Sequence, residues 1–155
     1  MTLSTIERVF LLQAAELFKH VPVQDLAGIA QLCHEISFAC GERFIEAGAE
    51  GDCLYIIASG EVSVVVEGHG QIGTNKQGEV IGEMSIISDR PRAASCIALT
   101  DVTALSIHHD DFWALMEENP TVTTSVLKVI VQRHEETLMK LRAGARQGLT
   151  ENTEI

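Results

Sequence analysis

The segment from Gly82 to Ser95 contains the residues whose types and spacing best suit the binding of a small anion. Gly82 lets the backbone approach a ligand closely, and a helical turn after it would point free amide groups at an anion. Arg92 precedes the small residues Ala93 and Ala94, so its guanidinium has room to enter a cavity. Its planar fork can donate two parallel hydrogen bonds to a phosphate. One arginine and a set of amides match a singly charged phosphodiester and are too few for a triphosphate.

Glu83 adds a second kind of contact to this segment. An ionised carboxylate only accepts hydrogen bonds, which suits a ribose hydroxyl and disfavours a phosphate. Two simpler interpretations stay open: Arg92 as a surface ion-pair partner of Asp89 or Glu83, and Glu83 as a first-turn acid that stabilises a helix N-terminus. The sequence contains no recognisable nucleophile–base pair, carboxylate pair or metal triad. We therefore expect no enzymatic activity.

The run from His108 to Asp111 is the other cluster that invites a chemical interpretation, as a metal site. Adjacent strand residues point to opposite faces, so His108 and His109 cannot easily share one ion. Asp110 is better explained as the start of the next helix. The four cysteines have no C-x-x-C pair and no zinc spacing, and they lie in or beside apolar runs, which is typical of buried reduced thiols. We therefore expect no bound metal.

The composition is that of one folded domain with an acidic surface. The 155 residues are 46% hydrophobic and 21% charged, and the formal net charge is −11. Such a field repels a phosphate polymer and an anionic membrane, so we expect no nucleic-acid partner and no membrane insertion. No basic region precedes an apolar stretch at the N-terminus, and no apolar run approaches the length of a membrane span. A cytoplasmic location is expected.

Hydrophobic periodicity indicates which elements must hold these residues in place. A capping box at Ser4–Glu7 predicts a helix to about Lys19, and a second helix is predicted over Val23–Leu32. Short segments separated by glycines then predict a sandwich or small roll. Its strands are expected at residues 34–40, 43–46, 54–58, 61–67, 94–99 and 103–108. The Ser59-Gly60 turn predicts a hairpin between the third and fourth strands, and the last two strands are expected to pair.

Helical periodicity returns at Asp110 and, after Pro120, predicts a long helix to about Arg142. One face has the heptad spacing of a helix–helix seam: Leu127, Val131, His134, Leu138 and Leu141. A second stripe could face the strands: Val122, Val126, Val129 and Ile130. Two interpretations stay open for this C-terminal helix, packing on its own domain or a homodimer seam. The wide apolar face of the N-terminal helix predicts a docking surface for a partner domain.

Both halves of the anion-binding segment resemble the phosphate-binding cassette of the cyclic-nucleotide-binding domain family. That cassette is typically G-E-[LIM]-[AS] followed after a short gap by P-R-x-A-[TS], and the matching residues are Gly82-Glu83-Met84-Ser85 and Pro91-Arg92-Ala93-Ala94-Ser95. The resemblance extends over about residues 15–140. It implies an α+β, mainly β fold, a double-stranded β-helix or jelly-roll barrel flanked by N-terminal helices and two C-terminal helices. The family includes the catabolite activator protein and the regulatory subunits of cAMP-dependent protein kinase.

The resemblance also implies a role for each matched residue. Arg92 would pair with the cyclic phosphate, and Glu83 would accept a hydrogen bond from the ribose 2′-hydroxyl. The backbone amides of Met84, Ser85 and Ala93, with the Ser85 hydroxyl, would complete the phosphate cradle beside Gly82 and Ala94.

The choice of base is implied by two further positions. Relatives that prefer cGMP often carry a hydroxyl residue where this chain has Ala93, so cAMP is expected over cGMP. In the bacterial activator branch, a threonine four residues after an arginine on the long helix reaches the adenine amino group, and Arg133 and Thr137 have that spacing. If Thr137 does not make this contact, Leu138 or Leu141 is the alternative cover for the base.

The resemblance implies a cAMP sensor whose two C-terminal helices move when the ligand binds. It would be a stand-alone regulator or a fragment of a larger regulated protein. The expected limits are residues 1–142 for the domain, with N-terminal helices in 1–33, the β-roll in 34–108, the cassette in 82–95 and the C-terminal helices in 109–142, followed by a flexible tail in 143–155. The alternative is a degenerate roll that serves as a structural or protein-interaction module without nucleotide binding, and the presence of both Glu83 and Arg92 argues against it.

Overall fold

Two antiparallel sheets face each other in the computed structural model, which describes residues 2–153 and the side chains of residues 2–146. The strands of this part of the chain are β1 (His34–Phe38), β2 (Arg43–Ile45), β3 (Cys53–Ser59), β4 (Val62–Val66), β5 (Gly70–Asn75), β6 (Val80–Ile81), β7 (Ser95–Ala98) and β8 (Val102–His108). The first sheet has the strand order β1-β8-β3-β6, and the second sheet has the order β2-β7-β4-β5. This arrangement confirms the predicted mainly β, jelly-roll fold, although the two sheets do not close into a complete barrel.

The strand pairings differ from those expected from the turns. β3 pairs with β6 and β8, whereas β4 pairs with β5 and β7, so the predicted β3–β4 hairpin and the predicted β7–β8 pair are both wrong. The chain crosses between the sheets at Gly60, which has a φ of 95° and where a Cβ would lie 2.4 Å from the carbonyl oxygen of Asp101. A turn signal shows that the chain reverses, but it does not show which sheet receives the next strand.

β3 is buried on both of its faces and therefore joins the two halves of the core. Leu54 and Ile56 pack with the helices, whereas Tyr55 and Ile57 pack between the two sheets. A strand covered on both sides needs a continuous apolar run instead of alternation, and β3 has one. Full burial of each large aliphatic side chain contributes about 1.5–3 kcal/mol to folding.

The helices flank this sandwich before, within and after the strands. They are α1 (Thr5–Ala14), α2 (Val23–Leu32), α3 (Glu83–Ser88), α4 (His109–Glu118) and α5 (Pro120–Thr153). The predicted capping box is present: Ser4 Oγ accepts from the amide of Glu7 at 3.2 Å, and the Ser4 amide donates to the Glu7 carboxylate at 2.7 Å. The first helix ends before Lys19, because Ala15 is extended and fully buried, and a 3₁₀ turn at Glu16–Phe18 follows.

α5 carries the two predicted stripes on different faces. The stripe expected to face the core is buried at Val122, Val126 and Val129, and the heptad stripe is exposed at Leu127, Val131, Leu138 and Leu141. The helix does not end near Arg142 as predicted, because helical backbone continues to Thr153. The two alanines, the arginine, the glutamine and the leucine that follow Arg142 favour a helix, and no proline interrupts them. The predicted flexible tail is thus helical as far as it is described, and residues 154 and 155 lie outside the described residues.

The helices were compared in length and apolar content with what a membrane span requires. None of them, over residues 2–153, combines the length and the apolar content needed to cross a membrane.

Candidate functional site

Gly82 shapes the start of the site through two independent features. Its φ of 79° lies in the left-handed region that favours glycine, and it caps the N-terminus of α3. A Cβ at this position would lie 2.4 Å from Arg92 Nη1 and 3.3 Å from the carbonyl oxygen of Cys53. The absence of a side chain therefore lets the Arg92 guanidinium lie directly against the backbone.

The main chain fixes the Arg92 side chain in a buried position. Arg92 is only 7% exposed. Its Nη1 donates a hydrogen bond to the carbonyl oxygen of Gly82 at 2.8 Å, and its Nη2 donates to that of Cys53. Asp52 Oδ1 lies 3.6 Å from Nη2, but the Asp52 side chain is largely exposed, so solvent screens this pair. The guanidinium is thus held in place while much of its charge and several N–H donors stay available to an anion.

Ser85 places an unused hydroxyl beside this guanidinium. Ser85 is 8% exposed, and the described residues offer its Oγ no hydrogen-bond partner. A Cβ on Gly51 would lie 2.0 Å from that Oγ and 3.6 Å from the Arg92 guanidinium carbon, so Gly51 leaves room for both groups. A buried hydroxyl without a partner costs about 1–3 kcal/mol. An anion at Arg92 would supply the missing acceptor.

The predicted site residues, Thr137 excepted, line one cavity of about 290 Å³. They are Gly82, Glu83, Met84, Ser85, Arg92, Ala93 and Ala94. The opposite wall is mainly apolar and comprises Ile45, Val64, Asn75, Val80, Ile81 and Cys96. The cavity therefore has a polar end at α3 and Arg92 and a mainly apolar end formed by residues of the second sheet together with Val80 and Ile81 of β6. A volume near 300 Å³ is at the lower limit for small-molecule sites.

Glu83 is connected to the C-terminal helix. Its Oε1 accepts a hydrogen bond from Arg133 Nη1 at 2.6 Å, and the Glu83 side chain is 12% exposed. Arg133 Nε also lies 3.7 Å from Glu16 Oε1 in the 3₁₀ turn. Glu83 therefore pairs with Arg133 and not with Arg92, so the negative charge at the edge of the cavity is balanced without using the buried guanidinium.

Comparison with known proteins identifies the family. The family model described as "Cyclic nucleotide-binding domain" matches residues 35–119, which is more than half of the chain. The chain belongs to this family. The cyclic nucleotide-binding domain is 32% identical to the cAMP-dependent protein kinase regulatory subunit of Aspergillus fumigatus over 106 residues, which are 68% of this chain and 26% of that subunit. The chain thus spans about a quarter of the length of the curated relative that it matches.

Solved structures agree with this assignment. The N-terminal domain of a transcriptional regulator from Streptomyces coelicolor A3(2) is 27% identical, with a TM-score of 0.75 over 82% of this chain and 94% of that one. The catabolite activator protein of Thermus thermophilus is 24% identical, with a TM-score of 0.72 over 84% of this chain and 63% of that one, and it shows the same fold. The predicted family and fold of the cyclic nucleotide-binding domain are confirmed.

Thr137 does not lie on the cavity of this domain. It is exposed, and its hydroxyl donates to the Arg133 carbonyl oxygen at 2.9 Å, a bond within its own helix. Leu138 and Leu141, the alternative covers for the base, are also exposed. Contact between any of these residues and a base therefore stays a prediction.

Two residues that the sequence analysis did not assign to the site lie at its edges. Arg133 was considered only for its spacing to Thr137, and its bond to Glu83 depends on how α5 packs against the sandwich. Asn75 lines the cavity from β5, a strand that the sequence prediction lacks. The glycine-rich and polar sequence of β5 gives no alternation signal, whereas the turn glycines Gly68 and Gly70, both with positive φ, indicate that the chain returns there.

His109 connects α3 to α4 in this domain. Its Nε2 lies 2.7 Å from Asp89 Oδ1, at the end of α3, and its Nδ1 lies 3.0 Å from Asp110 Oδ1. The hydrogen bonds with Asp110 and Asp89 raise the pKa of His109 above its ordinary value. Asp89 therefore pairs with His109 and not with Arg92, and no group of three metal-ligating side chains occurs among the residues described.

Burial controls the chemistry of the apolar end of the cavity. It raises the pKa of the Cys96 thiol to about 11, and it raises that of the nearby Tyr55 hydroxyl to about 12. Both groups are therefore neutral at pH 7. The Cys96 thiol acts as a small apolar wall residue.

Proposed function

We propose that this domain is a cAMP sensor that binds the nucleotide in the cavity between α3 and the second sheet and signals through movement of α4 and α5. One observation carries the proposal: two groups with unused donors lie at the same end of one cavity. They are the buried guanidinium of Arg92, which the main chain holds in place, and the Ser85 hydroxyl, which has no hydrogen-bond partner among the described residues. The established family, whose model is described by its cyclic nucleotide ligand, supports it.

The phosphate would lie against Arg92. Its guanidinium can donate two hydrogen bonds to the ring phosphate, and the Ser85 hydroxyl and the amides of Met84, Ser85 and Ala93 can donate others. α3 is too short for its dipole to contribute much, so the arginine supplies most of the attraction. A single phosphate charge is what this set of donors can balance within a chain of net charge −11.

The ribose would lie against Glu83. Its carboxylate can accept from the 2′-hydroxyl while it stays bonded to Arg133, because a carboxylate has room for several donors. Ala93 offers no hydroxyl to a guanine amino group, which supports cAMP over cGMP as the ligand. The relative from Aspergillus fumigatus is named for its dependence on cAMP, which supports the same choice.

Contacts of α3 provide the route from ligand to helices. Trp113 Nε1 of α4 donates to the carbonyl oxygen of Ile86 at 3.0 Å, and Arg133 of α5 donates to Glu83. A ligand that pulls α3 toward its phosphate therefore acts on both C-terminal helices. Such a signal is a population shift whose size equals the difference in affinity for two states.

Two surfaces would connect the sensor to partners. The exposed heptad stripe of α5, from Leu127 to Leu141, suits a homodimer seam, because its apolar residues repeat at alternating steps of four and three. Ile6 and Phe10 are exposed on α1 and would meet a partner domain of a longer protein. A cytoplasmic location belongs to the same proposal.

Isothermal titration calorimetry tests the central claim. The protein is unfolded, freed of carried-over nucleotide, refolded, and titrated with cAMP and with cGMP. We expect one cAMP bound per chain and weaker binding of cGMP. Heat from neither nucleotide would overturn the sensor assignment and would favour a protein-interaction module instead. Tighter binding of cGMP would overturn the choice of base alone.

A further inference from the structure

The apolar end of the cavity holds one polar side chain that the phosphate and ribose contacts do not use, that of Asn75. A row of paired residues crosses the inner face of the second sheet at this end: Ile45, Cys96, Val64 and Gly73. Asn75 lies two residues after Gly73 on β5 and therefore on the same face of the sheet. It also pairs directly with Val62, which is fully buried. Asn75 is half-buried, and its side chain lies on the inner face of the sheet, beside the cavity that it lines.

Glu79 fixes which way this carboxamide points. Asn75 Nδ2 donates to Glu79 Oε2 at 3.0 Å, while Glu79 Oε1 accepts from the amide of Lys76 at 3.2 Å. Because a carboxylate only accepts hydrogen bonds, the nitrogen of Asn75 must face Glu79 and the carbonyl oxygen must face away from it. Within residues 2–146 no group donates a hydrogen bond to that oxygen.

The position of Asn75 matches the base end of a bound nucleotide. Ala93 and Ala94 lead from Arg92 directly into β7, and β5 lies two strands beyond β7 in the sheet order. Two strand spacings amount to about 10 Å, comparable to the distance between the phosphate and the far edge of the purine in a nucleoside monophosphate. A purine with its phosphate at Arg92 would lie over the apolar row with its edge at Asn75.

We propose that the carbonyl oxygen of Asn75 accepts a hydrogen bond from the 6-amino group of adenine and makes Asn75 a specificity-determining residue. This inference rests on the proposed function. Guanine carries a carbonyl oxygen at the same position, so an acceptor would face an acceptor and cGMP would be disfavoured. The preference for cAMP then has a second source besides Ala93.

The experiment compares cAMP with the cyclic nucleotide of unsubstituted purine, which lacks only the 6-amino group. Titration calorimetry gives both affinities for the full chain and for Asn75→Leu. We expect the unchanged protein to bind cAMP roughly tenfold more tightly than the analogue, the value of one hydrogen bond, and we expect Asn75→Leu to bind the two alike. Gln77→Leu is the control, since it also replaces a carboxamide by an aliphatic side chain, at a nearby exposed residue outside this cavity, and it should keep the tenfold ratio.

Glu79→Gln provides a second variant in case Asn75→Leu does not fold. It removes the acceptor-only partner, lets the Asn75 carboxamide turn over, and should reduce the ratio without changing the shape of the cavity. A ratio of one in the unchanged protein, or an unchanged ratio in both Asn75→Leu and Glu79→Gln, would overturn the role of Asn75 and leave the proposed function standing. Failure of the unchanged protein to bind either nucleotide would overturn both.

Discussion

Replacing Arg92 by alanine removes the only buried guanidinium that the described residues place on the cavity. The bound phosphate would then lose a partner in a desolvated, bidentate charge pair, which costs about 2–4 kcal/mol. Since each 1.4 kcal/mol changes an affinity tenfold, cAMP should bind roughly 30- to 700-fold more weakly. The carbonyl oxygens of Gly82 and Cys53 would also lose their donors, so some loss of stability is expected as well.

Titration calorimetry with cAMP, accompanied by thermal unfolding, separates these two effects. Arg90→Ala is the matched control, because Arg90 carries the same charge two residues away, is exposed, and does not line the cavity. It should bind cAMP within about threefold of the unchanged protein, since a surface charge contributes little. Arg92→Lys should fall between the two, because an ammonium keeps the charge but not the planar fork.

A folded Arg92→Ala protein with unchanged affinity for cAMP would place the phosphate elsewhere and refute the reasoning. Equal weakening by Arg90→Ala and Arg92→Ala would refute it in another way. That outcome would mean that net charge, and not a positioned guanidinium, attracts the nucleotide.

Three further predictions concern separate parts of the molecule. Gly82→Ala should weaken cAMP binding at least tenfold in calorimetry, because the new Cβ would lie against the Arg92 guanidinium. Gly68→Ala is the control: Gly68 has a φ of 82° and nothing within 4 Å, so the substitution should add only backbone strain of about 1 kcal/mol. Equal effects of the two substitutions on cAMP binding would contradict the contact between Gly82 and Arg92. The raised pKa of His109 means that its bonds to two aspartates stabilise the fold fully below its ordinary pKa of 6.5 and lose this effect as the pH rises through the raised value. The urea midpoint of His109→Gln should therefore lie below that of the unchanged protein at about pH 6 and should approach it as the pH is raised to about 8. A difference between the two midpoints that does not change with pH would contradict the role of His109. Leu138→Glu should abolish any concentration-dependent dimer seen by sedimentation equilibrium. Met139→Glu, beside the stripe and more exposed to solvent, should leave the dimer intact. A monomer at every concentration would exclude the seam.

The polar end of the cavity could be predicted from the sequence because its chemistry is local. Gly82 and Arg92 lie within one short segment, and their types alone indicate a close backbone approach and a phosphate partner. The bond between Glu83 and Arg133 could not be predicted, since the two residues are 50 positions apart and meet only after α5 has packed on the sandwich.

The strands show the same division. β3 could be predicted because its apolar run reflects burial on both faces, whereas β5 has mostly exposed residues and is held by its pairing with β4. Its position therefore depends on a neighbour and not on its own composition, and Asn75 was missed with it. The length of α5 was underestimated because Gly144 and Gly148 follow Arg142, although each glycine costs a helix only about 1 kcal/mol.

The two carbonyl oxygens that hold Arg92 also determine how binding free energy can be used. An arginine side chain loses about 2 kcal/mol of conformational entropy when it is immobilised, and here the backbone imposes that loss during folding. A nucleotide does not have to organise its own recognition group. More of its contact energy is then available to displace α3, and through α3 the helices that report its arrival.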